Sequence, residues 1–228
     1  MLTVSTNPNQ PGTWRFNFFG YPVAVHWIFW VIAVLLGRGF SVKTPLQFQL
    51  LCIWVAVVFV SILVHEMGHA MAFRKYGGRP RILLWSFGGL AIAEGSYTRR
   101  QNIVITLAGP FYGLVFGALV WSLARWVIPP SVFEGSAHLS SMVVNLLWVN
   151  ITWSLVNLLP IHPLDGGQLL GHIMYERKRE LRAKIGMACA IAVGVALFAW
   201  EGGRSIFPLL MFGYLAYMNY QMAAPRWR

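Results

Sequence analysis

The sequence predicts an all-α membrane protein of six transmembrane helices, with a small membrane-associated β-hairpin between helices two and three. Three observations carry this. The 228-residue chain is 57% hydrophobic, has a mean hydropathy of +0.58 and carries only 11% charged residues, where a soluble domain averages about a quarter. Six apolar stretches approach the ~20 residues that cross a bilayer. The basic residues also fall unevenly among the connecting segments. Together these exclude an ordinary soluble enzyme and a disordered tail. A disulfide scaffold is excluded as well, because Cys52 and Cys189 are the only cysteines and both sit in apolar runs.

The expected spans are residues 22–40, 46–73, 102–128, 139–159, 185–200 and 205–222. Residues 1–20 are polar and rich in Pro and Asn, unlike the basic start and apolar core of a signal peptide. The first helix is therefore expected to be retained. No internal repeat or low-complexity tract interrupts the chain, so one polytopic membrane domain is expected over 1–228, with a core at about 46–170.

Charge sets the orientation. With the N-terminus inside, fourteen of the eighteen Lys and Arg residues fall in cytoplasmic segments, among them Arg74, Lys75, Arg79, Arg81, Arg99 and Arg100. That bias places both termini in the cytoplasm. It also accounts for the net charge of +11 without a nucleic-acid partner.

The loop from Gly77 to Gln101 is unusual. Its centre, Ile82 to Ala93, is too apolar for a solvated loop and too short to span. Gly88-Gly89 reads as a turn between two β-prone runs. The expectation is a hairpin dipping into the membrane and buried against protein, because lipid-exposed strand edges are not tolerated.

The chemistry concentrates in His65-Glu66-Met67-Gly68-His69 of the second span. Residues i and i+4 share a helix face, so both imidazoles can converge on one metal ion, with Glu66 close enough to act on water beside it. An ionisable cluster inside an apolar helix costs about 2.5–3.5 kcal/mol per charge on insertion scales and marks a functional site. Arg74 lies nine residues beyond His65, so the cluster sits about 14 Å inside the cytoplasmic boundary. A catalytic zinc usually takes three protein ligands and keeps one open position. The candidates for the third are few: His26, Glu94, His138, Asp165, His162 and His172, with a few loop acids. Asp165 stands out. It is the only Asp in the chain and follows Asn157-Leu158-Leu159-Pro160-Ile161-His162-Pro163-Leu164 at the cytoplasmic end of the fourth span. Pro160 and Pro163 break the helix there, and Gly166-Gly167 permits close backbone approach. His162 reads as a polar lining residue, with an alternative ligand or a pH-sensitive gate left open, and His26 reads as similarly bland, with a gate or substrate contact left open. His138 and His172 read as solvated.

At these residues the chain resembles the site-2 proteases, intramembrane zinc metalloproteases. The resemblance rests on His65-Glu66-Met67-Gly68-His69 and on Asn157…Pro160…Pro163-Leu164-Asp165-Gly166-Gly167. Leu107-Ala108-Gly109-Pro110, Gly88-Gly89 and, more weakly, Val25-His26-Trp27 also look like family features. It implies one Zn2+ per chain held by His65, His69 and Asp165, with Glu66 as general base and Asn157 on the substrate carbonyl. It implies that Phe87, Gly88 and Gly89 of the hairpin pair with an unwound substrate segment. The expected reaction is peptide hydrolysis in or near the single transmembrane segment of a membrane-protein substrate, in a prokaryotic cell membrane. No oligomeric state is read from the sequence. The chain departs from some members at Gly113, where they carry Asn, and Gly113 would still allow tight helix packing. The chain is expected to lack a peptide-binding insert between the motifs and a nucleotide-sensing pair after the last helix. The rival readings are a metal carrier, or another membrane metal-binding protein, and a catalytically silent homologue. A carrier needs ligands along a path across the membrane, whereas these cluster at one depth.

Overall fold

A computed structural model describes residues 11–86, 88–174, 178–200, 202–203 and 205–223. Among the described residues the structure is mostly helical with one small sheet, and four helices are long and apolar enough to cross a membrane: Pro45–Lys75, Arg99–Trp126, Ala137–Asn157 and Arg179–Trp200. It divides into two compact units, residues 1–96 with 108–154, and residues 97–107 with 155–228.

The first unit begins with a hairpin that the apolar pattern does not announce. β1 (Thr13–Phe18) pairs antiparallel with β2 (Tyr21–His26) across a tight turn at Phe19 and Gly20, both at positive φ. Such turns match the twist of the flanking strands. The expected first span at 22–40 is therefore not one helix. Its first residues form β2, and α1 (Trp27–Leu36) is 10 residues long, about 15 Å. The alternation of Val23 and Val25 suits a pleated strand, and β2 pairs with β1 on one side and in parallel with β3 (Arg81–Trp85) on the other. An apolar run this short fits either structure, and strand pairing decides it.

α2 (Pro45–Lys75) is the long element of this unit. Thr44 and Gln47 form a reciprocal capping box at its start, with Pro45 in the first turn. At its end Gly77, at φ 85, lets Gly78 N–H reach the Phe73 carbonyl and Gly77 N–H the Arg74 carbonyl, which is a Schellman stop. Its 31 residues extend about 46 Å. The Trp54 indole N–H donates to the Ala33 carbonyl at 2.9 Å and ties α2 to α1. Phe29, Val57, Ile62, Leu63 and Met67 join Val23, Val25, Ile82 and Leu84 of the sheet in one core.

The hairpin that follows α2 is present, with its turn two residues earlier than expected. β3 pairs antiparallel with β4 (Gly88–Ile92), so Gly88 and Gly89 are strand residues opposite Trp85 and Leu84. Ser86, at φ 50, lies in the turn. Phe87 lies outside the described residues, as do Arg177, Arg204, Arg226 and Arg228 of the charge pattern. The sheet order is β1-β2-β3-β4.

α3 (Arg99–Trp126) and α4 (Pro130–Gly135) lead to a helical stretch made of α5 (Ala137–Trp148), a π-helical turn (Val149–Trp153) and α6 (Ser154–Asn157). Asn150 in the π turn is buried, and its amide donates to Ser61 Oγ and the Leu146 carbonyl, both at 2.8 Å. π turns widen the helix locally and mark functional positions. A Cβ on Gly113 would collide with Ser154 Oγ, so the glycine does permit close packing of α3 on this stretch.

The second unit carries the break after α6. Residues 158–164 run through a cis His162–Pro163 bond to α7 (Asp165–Ile173). α8 (Arg179–Trp200) and α9 (Phe207–Ala223) pack on each other around Ile161, Ala190, Phe212 and Ala216. α9 has 17 residues, one reason that six spans are not established by length and composition. Asn219 of α9 is fully buried and clamps the break: His162 N–H donates to its Oδ1 at 3.2 Å, and its amide donates to the His162 carbonyl at 2.8 Å. Gly166 has two backbone carbonyls, of Leu158 and Leu159, where a Cβ would stand. Only glycine lets α7 fold back this tightly.

Candidate metal centre

His65, Glu66 and His69 lie within one helical turn on α2 and are all buried, at 5%, 5% and 8% exposure. Their ligand atoms all lie within 4.8 Å of one another, the one such group of three among the described residues. The two Nε2 atoms are 3.2 Å apart, with the rings edge to face at 74°. That spacing tests the fit of a metal. Zn–N bonds of about 2.0–2.1 Å at tetrahedral angles require an N···N edge of about 3.3 Å. The pair fits zinc as it stands.

Three glycines set how closely other elements approach the cluster. A Cβ on Gly89 of β4 would fall 2.6 Å from Glu66 Oε1. The strand backbone therefore lies directly against the Glu66 side chain. A Cβ on Gly109 of α3 would overlap the His69 imidazole, and one on Gly68 would come 2.5 Å from the Ala108 carbonyl. Small residues allow helix backbones to meet at this distance. The sequence alone assigns the Leu107–Pro110 motif no physical role. Its role is to leave room for His69.

The remaining sequence-predicted residues fall as follows. Asn157 ends α6 and Asp165 opens α7; both are buried and both belong to the second unit. Gly88 and Gly89 are in the first unit with the His65 cluster, Gly89 against Glu66. His26 is a structural residue: its Nδ1 accepts from Ile28 N–H at 3.3 Å and caps α1. His138 bonds Gln49 at 2.7 Å. The His172 carbonyl accepts from Arg99 Nε and the Ile173 carbonyl from Arg99 Nη2, both at 2.7 Å, which closes the end of α7. His162 is held below its ordinary titration range by burial and then by Arg182, and His172 is shifted the same way for the same reasons. Asn219 is a residue that no motif points to. Its one signal in the sequence is general: an amide inside an apolar helix demands a partner.

Comparison with known proteins bears on this site. The profile of peptidase family M50 matches residues 131–200, a segment that includes Asn157 and Asp165. Rip3 of Mycobacterium tuberculosis, named as a zinc metalloprotease, is 32% identical over 221 residues, covering 89% of this chain and 47% of that protein. The chain belongs to the site-2 protease family. Within that family, a zinc metalloprotease of Methanocaldococcus jannaschii is 26% identical over 182 residues, covering 77% of this chain and 51% of that protein. The solved structure of a site-2 protease from the same organism shares the fold, with a TM-score of 0.63, 22% identity, and coverage of 93% of this chain and 96% of that one. The chain spans about half the length of the curated relatives it matches. Its apolar helices make it an integral membrane protein of this family.

Proposed function

We propose that the chain is a zinc-dependent intramembrane endopeptidase that hydrolyses a peptide bond in or near the transmembrane segment of a membrane-protein substrate. The observation that carries this is the buried His65–Glu66–His69 cluster, with its imidazole nitrogens at the edge length of a zinc tetrahedron, on a helix long enough to cross a bilayer.

His65 and His69 hold the ion, and Asp165 is the third ligand. Support for Asp165 is its burial in the first turn of α7, directly after a helix break whose backbone is pinned by Asn219. When bound, zinc supplies Lewis acidity to the scissile carbonyl and acidifies water toward neutral pH. Glu66 takes the proton from the attacking water and delivers it to the leaving amine. The Asn157 amide donates to the carbonyl oxygen as negative charge develops there.

A substrate helix hides its carbonyls in its own hydrogen bonds, so a segment must unwind before cleavage. β4 is an edge strand of the sheet and its Gly89 lies against Glu66. Strand addition to Phe87, Gly88 and Gly89 would re-pair the freed backbone beside the base. The full topology follows the charge pattern: six membrane segments in one domain, both termini cytoplasmic, the site in the cytoplasmic half of a prokaryotic membrane.

Glu66→Gln tests this reading. The variant keeps the shape of the cluster and both imidazoles, so zinc content measured by atomic absorption stays at one per chain, while cleavage of a co-expressed membrane substrate stops. Continued cleavage removes Glu66 as the base.

A further inference from the structure

The first unit also contains a cavity of about 550 Å³ that none of the His65 cluster residues lines. Four arginines line it: Arg15 from β1, Arg74 from the last turn of α2, Arg79 from the following connection and Arg81 from β3. No acidic residue is among the described residues that line it. Its apolar lining includes the half-buried side chains Phe16 and Ile92. The Arg74 guanidinium stacks 5.3 Å above the centre of the Tyr21 ring, another lining residue.

This combination selects a ligand chemistry. Arg74, Arg79 and Arg81 around one cavity focus a positive potential that calls for an anion, and guanidinium forks match the paired oxygens of a phosphate. A free inorganic anion has no use for the apolar lining. The place of the cavity in the fold adds the second constraint. Arg74 closes a helix long enough to span the bilayer, so the cavity lies at the level of one end of that span, where headgroups sit and basic residues meet anionic lipid.

We propose that this cavity binds an anionic phospholipid. The phosphate sits among Arg79, Arg81 and Arg74, and the glycerol and upper acyl carbons lie against Phe16 and Ile92. Bound there, the lipid bridges β1, β2, β3 and the end of α2, and so couples the sheet that carries the Gly88–Ile92 edge to membrane composition.

The test uses the full chain in phosphatidylcholine nanodiscs with a photoactivatable phosphatidylglycerol, with labelled peptides identified by mass spectrometry. Labelling concentrated on residues 13–26 and 79–92, displaced by unlabelled phosphatidylglycerol but not by extra phosphatidylcholine or millimolar inorganic phosphate, supports the site. The Arg79→Gln/Arg81→Gln double variant should lose at least about fivefold of that labelling. The Arg79→Lys/Arg81→Lys variant keeps the charge but loses the guanidinium forks, so its labelling should fall between those of the parent and the Gln variant. Labelling spread evenly along the spanning helices, or untouched in the Gln variant at an unchanged melting temperature, overturns the proposal. Displacement by inorganic phosphate as effective as by phosphatidylglycerol overturns it also, since the site would then read a free anion.

Discussion

Replacing Asn219 with Leu keeps the volume of the side chain while removing its three hydrogen bonds, two to the backbone of His162 and one to the Leu215 carbonyl. Asn219 is 1% exposed, and Gly186 is a glycine because a Cβ there would collide with the Asn219 Oδ1. A cavity of about 20 Å³ lined by His162, Arg182 and Asn219 can take one water, which replaces part of the lost amide. The His162 N–H and C=O otherwise lose their partners, at about 1–3 kcal/mol each. The added apolar contact of Leu returns part of this, so the net loss is about 3 kcal/mol. For a chain of this size that lowers the melting temperature by about 6–12 °C. The assay is thermal unfolding of the purified chain in detergent, paired with limited proteolysis of residues 158–164, whose release should accelerate in parallel. Gly186→Ala provides an independent arm, because it displaces Asn219 without touching its chemistry and should open the same segment. If Asn219→Leu melts within about 1 °C of the parent and the segment stays protected, the clamp does not hold the turn that leads into Asp165.

Two further outcomes follow from the geometry. Gly109→Ala places a methyl group where the His69 imidazole stands, so the ring must rotate away from His65; zinc affinity, read by chelator competition, should fall about 10–100-fold, and unchanged affinity would show that His69 is not a ligand. His162 and His172 are both pushed below the ordinary value of 6.5, by burial first and by Arg182 second. The unfolded chain therefore takes up protons that the folded chain resists, and stability is full above about pH 6.5 and declines as pH falls through that value toward the folded pKa. Melting curves from pH 8 to pH 5 should show this decline, and His162→Gln should flatten it; an equally steep decline in that variant would assign the pH dependence elsewhere.

What is legible in the sequence is what local spacing determines. His65 and His69 at i, i+4 must share one helix face, because helical geometry alone fixes that relation, and their nitrogens do lie 3.2 Å apart. The long apolar α2 is legible for the same reason. The first predicted span is not, because residues 23–25 pair in parallel with residues 82–84, far outside any local window, as well as with the neighbouring strand β1. Asn219 escapes because its partner is 57 residues away.

The second hairpin is the more instructive departure. Paired glycines such as Gly88-Gly89 usually signal a turn, yet the turn lies at Ser86 instead. Gly89 is there for Glu66, whose carboxylate occupies the space a Cβ would need, and Gly109 is there for the His69 ring. Residues proposed to carry chemistry, such as His65, Glu66 and His69, announce themselves by type and spacing. How near a strand or a helix can come to those residues is set by side chains that are missing, and a missing side chain names its neighbour only when the fold is known. A glycine next to a chemical motif is thus better weighed first as a position of close approach and only second as a turn.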